Sequence, residues 1–106
     1  MKLLTKEILE AFEKQGDVSE KDPSEIKIIV KYFNPTGSGT WYCYEYYPED
    51  KVFMCYANLG MPEFAECGTV SLKELEELES PFGLGIERDL YFGEHTLQEV
   101  IDRKVR

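Results

Sequence analysis

The sequence lacks a long apolar segment. Its longest stretch without a charged residue lies between Lys31 and Glu45, and Asn, Pro, Thr, Gly and Ser interrupt it. A helix that spans a bilayer needs about 20 consecutive apolar residues, so an integral helical membrane protein is excluded. Charges also interrupt the opening residues MKLLTKE, where a signal peptide would carry an apolar core. We therefore expect a cytoplasmic protein, in the host cytoplasm if a phage encodes it.

Cationic residues are scarce as well. The chain has 12 Lys and Arg against 21 Asp and Glu, which gives a formal net charge of -9. Contacts with phosphates require cationic side chains and the release of counterions, so direct binding of nucleic acid is not expected. The acidic surface either keeps the protein soluble or docks on a basic partner, such as a protein whose channel otherwise admits DNA.

The acidic residues are unevenly distributed along the chain. Between residues 63 and 79 there are six glutamates and one lysine, Lys73. We predict that these glutamates form a partner-binding surface; they are Glu63, Glu66, Glu74, Glu76, Glu77 and Glu79.

Residue patterns typical of catalytic sites are few. His95 is the sole histidine, and no serine stands in a nucleophile-elbow pattern. The Gly-x-Gly at 83–85 lacks the third glycine and the βαβ context of a phosphate-binding loop. Glu87, Arg88 and Asp89 are interpreted as an internal salt bridge rather than a paired-carboxylate site. We expect a protein that is not an enzyme, with a small enzyme using these three residues and His95 as the alternative.

The three cysteines are equally spaced, since Cys55 lies 12 residues after Cys43 and 12 before Cys67. An odd number without a secretion signal argues against a disulfide framework. If successive strands pair around short turns, the cysteines share one row on one face of a sheet. With His95 or a carboxylate as the fourth ligand, they would hold a structural zinc ion. The alternative is that they are buried thiols of the core.

Hydrophobic periodicity predicts an α+β fold in a single domain over residues 1–106: an antiparallel four-stranded meander with an N-terminal helix and two short C-terminal helices. Thr5 is expected to cap the first helix and Gly16 to end it. The strands are expected at 26–33, 40–47, 52–58 and 64–70. Capping boxes at Ser71 and Thr96 predict the starts of the last two helices.

An aromatic run, WYCYEYY, occupies residues 41–47. Strict alternation places Tyr42, Tyr44 and Tyr46 on one face of the strand. Aromatic platforms that stack nucleic-acid bases come with basic residues, which are few here. We expect one core face and an exposed tyrosine stripe that is suited to a protein interface.

Three segments together resemble a known family. They are TWY at 40–42, SLKELE at 71–76 and PFGLGIERDLYF at 81–92, of which the last is the most specific. They are similar to a family of short bacterial, plasmid and phage proteins filed as a domain of unknown function. The resemblance implies a small domain on mobile elements, near anti-restriction and defence genes. It also implies small or aliphatic residues at the cysteine positions, so three cysteines there favour a gained zinc site.

Together these observations predict a non-catalytic acidic interaction protein of a phage or mobile element. It would inhibit a host nucleic-acid enzyme by blocking the access of DNA to a basic surface, and an RNA-guided CRISPR nuclease is the preferred target. An accessory subunit with no inhibitory role is a further alternative.

Overall fold

The computed structural model describes residues 2–60, 65–78 and 85–103. In chain order, the elements are α1 (Lys6–Gln15), a short 3-10 helix (Pro23–Glu25), β1 (Val30–Phe33), β2 (Thr40–Tyr47), β3 (Val52–Asn58), β4 (Glu66–Ser71), α2 (Leu72–Glu77), β5 (Glu87–Arg88) and α3 (Leu97–Ile101). The predicted α+β class, with its N-terminal helix and two short helices after the meander, is confirmed. In the described part of the chain, no helix is long and apolar enough to cross a membrane.

The strands form one antiparallel sheet in the order β4-β3-β2-β1-β5. The first four strands make the predicted meander. The predicted total of four strands is wrong, because Glu87 and Arg88 return to the far edge and pair with Phe33 and Tyr32. A strand of two residues shows no alternation along its sequence, so periodicity could not reveal it.

The segment before β1 is extended but not a continuous strand. The predicted first strand covers 26–33, whereas β1 begins at Val30. Before that point the chain changes partners: Ile28 N–H donates to the carbonyl of His95 at 2.9 Å, and Ile29 N–H donates to the carbonyl of Cys43 at 2.8 Å. The β-branched pattern therefore predicted the extended backbone and missed the change of partner.

Local signals set the helix boundaries as predicted. The Thr5 side chain accepts a hydrogen bond from the backbone at the start of α1, and Gly16 ends the helix with φ of 65°. A capping box is present at both Ser71 and Thr96. The last helix ends at Ile101, and residues 104–106 lie outside the described residues.

Both faces of the sheet bury apolar side chains. We call them the α1 face and the α3 face. On the α1 face, Phe12 of α1 and Leu75 of α2 pack with strand residues that include Tyr32 and Phe53. The α3 face is smaller, and its buried residues are Val18, Ile26, Ile28, Tyr42, Tyr44, Leu97 and Val100. The sheet is therefore the middle layer of the fold.

A β-bulge in β2 divides the aromatic run between these two faces. The register of β2 against β3 shifts after Cys43. As a result, Tyr42 and Tyr44 belong to the α3 face. Tyr46 instead packs on the α1 face, with its ring centroid 4.8 Å from that of Phe53. The expectation that these three tyrosines share one face is wrong, because one extra residue in a strand reverses the alternation beyond it.

Candidate functional site

Four of the six predicted partner-binding glutamates lie in the described part of the chain. Glu66 begins β4, and the other three belong to α2; all four are exposed, and they are Glu66, Glu74, Glu76 and Glu77. Glu63 and Glu79 lie outside the described residues.

A groove of about 700 Å³ runs between β4 and α2, and Glu66, Glu74 and Glu77 all line it. We call it the acidic groove. Side chains of the α1 face form its floor, with Trp41 opposite Ala57 in the β2–β3 ladder. The next pair in that row is Ala57 and Glu66. A tryptophan, an alanine and a carboxylate thus stand side by side across three strands.

Gly68 keeps the floor of the acidic groove open. It lies opposite Cys55 in the β3–β4 ladder and therefore faces the α1 side of the sheet. No surrounding atom of residues 2–60, 65–78 and 85–103 lies within 4 Å of the position that a Cβ atom would take there. Two residues further along β4, Val70 is buried in the same core as Leu75 of α2. The acidic groove thus lies on the α1 face of the sheet, next to the place where α2 packs on β4.

Two exposed leucines border the acidic groove. Leu59 is 66% exposed and Leu78 is 43% exposed, and both line it. Protein interfaces have an apolar centre and a charged rim. Exposed leucines next to carboxylates match that composition. Lys73 offsets little of the charge, because its Nζ is 3.9 Å from Glu77 Oε1 and both side chains are largely exposed.

Glu76 is separate from the acidic groove. Its charge acts instead on Tyr46, whose pKa is raised first by burial and then by the charge of Glu76. The structure therefore brings together three of the four described glutamates that the sequence grouped. Sequence reasoning missed Trp41, Leu59 and Leu78. The one local signal for the leucine rim of the acidic groove was Leu59 itself, an apolar residue next to the turn glycine at position 60.

The structure does not assemble the predicted zinc ligands. Cys43 and Cys55 lie directly opposite each other, as predicted, and both are fully buried. Cys67 instead lies opposite Tyr56, and Gly68 takes the place opposite Cys55. Cys67 is therefore on the α3 face, where it is exposed. The predicted single row is wrong, because a shift of one residue in register moves a side chain to the other face.

His95 lies at the start of α3, away from a ligand set. Its Nδ1 is 3.1 Å from Glu99 Oε2, and its ring packs on Phe92 with a centroid distance of 4.6 Å. Within residues 2–60, 65–78 and 85–103, no group of three or more His, Cys, Asp and Glu side chains could hold a metal ion. Burial also raises the pKa of the Cys43 thiol, which disfavours the thiolate that binds zinc. Cys43 and Cys55 act here as core residues.

The residues of the alternative enzyme site are divided between the two faces of the sheet. Glu87 and Arg88 are successive residues of β5 and so point to opposite faces. Arg88 Nε donates to the carbonyl of Lys2 at 2.8 Å. Asp89 Oδ2 is 3.1 Å from Lys31 Nζ, and these side chains are only 25% and 11% exposed. This ion pair fastens the segment after β5 to β1.

Comparison with known proteins supplies a family and no activity. Residues 3–103 match a family model described as "Protein of unknown function (DUF2958)". No curated protein and no solved structure matches the chain. The matched range includes the acidic groove and both packed faces of the sheet.

Proposed function

The chain belongs to the family of proteins of unknown function DUF2958, and we propose that it is a non-catalytic interaction protein whose acidic groove docks on a basic protein partner. One observation carries this proposal: Glu66, Glu74 and Glu77 converge on an apolar groove bordered by exposed leucines.

The two kinds of residue contribute different parts of binding. Burial of the apolar floor and rim supplies affinity. The carboxylates guide the approach of a basic partner and select against acidic ones. The net charge of -9 repels phosphates, so the partner is a basic protein surface and not the nucleic acid that such a surface binds.

The proposed activity is inhibition of a nucleic-acid enzyme by occupation of its DNA-binding channel. A protein seated on a basic channel excludes the DNA that the channel otherwise admits. We propose an RNA-guided CRISPR nuclease as the target, since its heteroduplex channel is positively charged. The resemblance to proteins of mobile elements supports this choice. An accessory subunit would bind the same kind of surface without lowering activity, and the experiment below separates the two.

The test uses a purified RNA-guided nuclease loaded with its guide. Binding of labelled target DNA is measured by fluorescence anisotropy as the protein is added. We expect the protein to displace DNA, and to do so less well as salt increases. Unchanged DNA binding contradicts the nuclease as target. Tight association with full cleavage activity favours the accessory subunit.

A matched pair of variants tests the acidic groove itself. Glu66→Lys, Glu74→Gln and Glu77→Lys together reverse the sign of its charge, and glutamine at 74 preserves the capping box of α2. The control combines Glu10→Lys, Glu20→Gln and Glu25→Lys at exposed positions away from the acidic groove, with the same change in net charge. We expect only the first variant to lose binding. Equal losses would show that net charge, and not the acidic groove, drives association.

A further inference from the structure

We propose that the partner docks by strand addition: an extended segment of the partner, both basic and apolar, pairs with the outer edge of β4. This inference rests on the proposed function, because it specifies which part of a basic partner the acidic groove receives.

β4 is the edge of the sheet that borders the acidic groove. Among the described residues, β3 is its one hydrogen-bonded neighbour. On an edge strand, alternate backbone N–H and C=O groups point outward, where they can pair with an added strand. Proteins block such edges with lysine, proline or bulges. β4, with the sequence ECGTVS, has no lysine or proline, and its register with β3 is continuous.

The register of β4 determines the sequence that would fit. Glu66, Gly68 and Val70 face the acidic groove, since they lie opposite inward-facing residues of β3. An added strand would place Lys or Arg opposite Glu66. It would place an aromatic ring over Gly68, where the described residues leave the space above the backbone open. An apolar residue would lie opposite Val70. For the commoner antiparallel pairing, the motif reads apolar-x-aromatic-x-basic.

Charge complementarity selects this occupant over a second copy of the chain. Glu74 and Glu77 border the same groove, so basic residues flanking the motif gain further carboxylate partners. A second copy brings a net charge of -9 and the same carboxylates to the edge, and like charges oppose that contact. The segment is therefore a basic one from another protein.

Cys67 provides a native probe of this register. It is exposed on β4, whereas Cys43 and Cys55 are buried, so a thiol reagent that enters the edge reaches Cys67 alone. Cross-strand partners lie roughly 5 Å apart between Cβ atoms, and residues offset by two positions lie roughly 7–8 Å apart. Only a cysteine directly opposite Cys67 approaches the geometry of a disulfide.

The experiment uses the peptide KVTFCRK, in which valine, phenylalanine and arginine would lie opposite Val70, Gly68 and Glu66. Its cysteine carries thionitrobenzoate as a mixed disulfide. The Cys67 thiolate attacks the peptide sulfur, a protein–peptide disulfide forms, and thionitrobenzoate leaves and is followed by its absorbance. The control peptide KVCFTRK has the same composition, but its cysteine would lie opposite Thr69.

We expect the first peptide to react with the full chain on the order of tenfold faster than the control, and the advantage to disappear with Glu66→Lys. Equal rates for the two peptides overturn strand addition. If the charge variants of the acidic groove still lose partner binding in that case, the proposed function stands without this docking mode. Register-dependent trapping together with unchanged nuclease activity leaves strand addition standing and removes the nuclease as partner.

A pair of glutamine substitutions checks the floor independently of charge. Gly68→Gln places a side chain in the acidic groove, where no atom of the described residues lies within 4 Å of the Cβ position. Thr69 also lines the groove, but it lies opposite Met54 of the α3 face, so Thr69→Gln directs the same side chain to the opposite face of β4. We expect Gly68→Gln alone to abolish the advantage of the first peptide, with circular dichroism unchanged in both variants. An advantage that survives Gly68→Gln also overturns the proposal.

Discussion

Gln15 and Lys27 form a two-way hydrogen-bonded pair. The Gln15 Nε2 donates to the Lys27 carbonyl at 2.9 Å, and its Oε1 accepts from the Lys27 N–H at 2.9 Å. The same Nε2 donates to the carbonyl of Tyr44 at 2.8 Å, at the bulge of β2. The Gln15 side chain, at the end of α1, thus pairs with the Lys27 backbone as a neighbouring strand would. It fixes this helix to two segments of the α3 face.

Gln15→Ala tests this link. The substitution leaves one N–H and two carbonyls without their partner, so we expect a loss of about 1–2 kcal/mol in the free energy of unfolding. Gln98→Ala is the control, since the Gln98 amide donates to the exposed Asp102 at 3.0 Å, and its effect should stay within about 0.5 kcal/mol. Urea denaturation of both variants measures the difference. Equal midpoints for the two variants would contradict the role of Gln15.

Thiol reactivity tests the placement of the cysteines. Cys43 and Cys55 are fully buried. Burial also raises the pKa of the Cys43 thiol, so less of it is present as the reactive thiolate. We expect a disulfide reagent at neutral pH to modify Cys67 quickly and the other two only after unfolding in denaturant. Cys67→Ser should remove the fast phase. Rapid reaction of all three thiols in the native protein would show that the β2–β3 pair is accessible.

Asp89→Asn tests the ion pair between Lys31 and Asp89. Lys31 Nζ also lies over the rings of Tyr42 and Phe92, at 5.7 and 5.5 Å from their centroids. Asparagine keeps the oxygen that accepts from the Tyr91 N–H and removes the charge beside Lys31. We expect a loss of about 1–2 kcal/mol in the free energy of unfolding.

Glu77→Gln is the matched control for that substitution. It makes the same change in net charge at a largely exposed pair, where we expect an effect of about 0.5 kcal/mol or less. Chemical denaturation at neutral pH compares the two variants. A similar small effect for both would show that the pair at β1 contributes no more than a surface one.

Glu99 makes stability depend on pH in the acid range. Its pKa is lowered from the ordinary value of 4.5, first by the hydrogen bond with His95 and then by that from the Thr96 backbone. A lowered pKa in the folded protein adds stability above the ordinary value, and this stability is lost as pH falls through the folded value. Glu99→Gln keeps an oxygen for the capping box and cannot ionise.

We therefore expect the Tm of Glu99→Gln to lie below that of the native chain at about pH 6, and the difference to shrink as the pH falls below the ordinary value of 4.5 and through the lower folded value. Glu94→Gln, at an exposed position one residue before His95, serves as the control. A gap that is constant over this range would show that the carboxylate charge is not what stabilises the start of α3.

Short-range patterns in the sequence predicted the parts of this fold that depend on neighbouring residues. The caps at Thr5, Ser71 and Thr96 each follow from signals within a few residues. The pairing of Cys43 with Cys55 was predicted correctly, but it depends on the bulge as well as on the turn, because the register shift after Cys43 is what places Cys55 opposite it. The family resemblance was also confirmed over residues 3–103.

What the sequence did not predict depends on register and on distant contacts. The pairing of Cys55 with Gly68 is set across a longer connection, which does not fix the offset between its strands. β5 forms because a segment distant in sequence pairs with the edge of β1, and no local sequence pattern predicts that pairing. For the same reason, the acidic groove was predicted by its glutamates, whose clustering is visible in sequence, and not by Trp41, which reaches it across the sheet.

The bulge after Cys43 has a consequence for how faithfully this sheet assembles. β2 carries aromatic rings on both sides: Tyr42 and Tyr44 lie on the α3 face, and beyond the bulge Tyr46 joins Trp41 on the α1 face and packs on Phe53. A slip of β2 by one position, or its exchange with the same strand of another molecule in an altered alignment, would turn rings out of both layers at once. Misaligned assembly therefore loses buried aromatic contacts in both layers, which disfavours other alignments at the centre of the sheet.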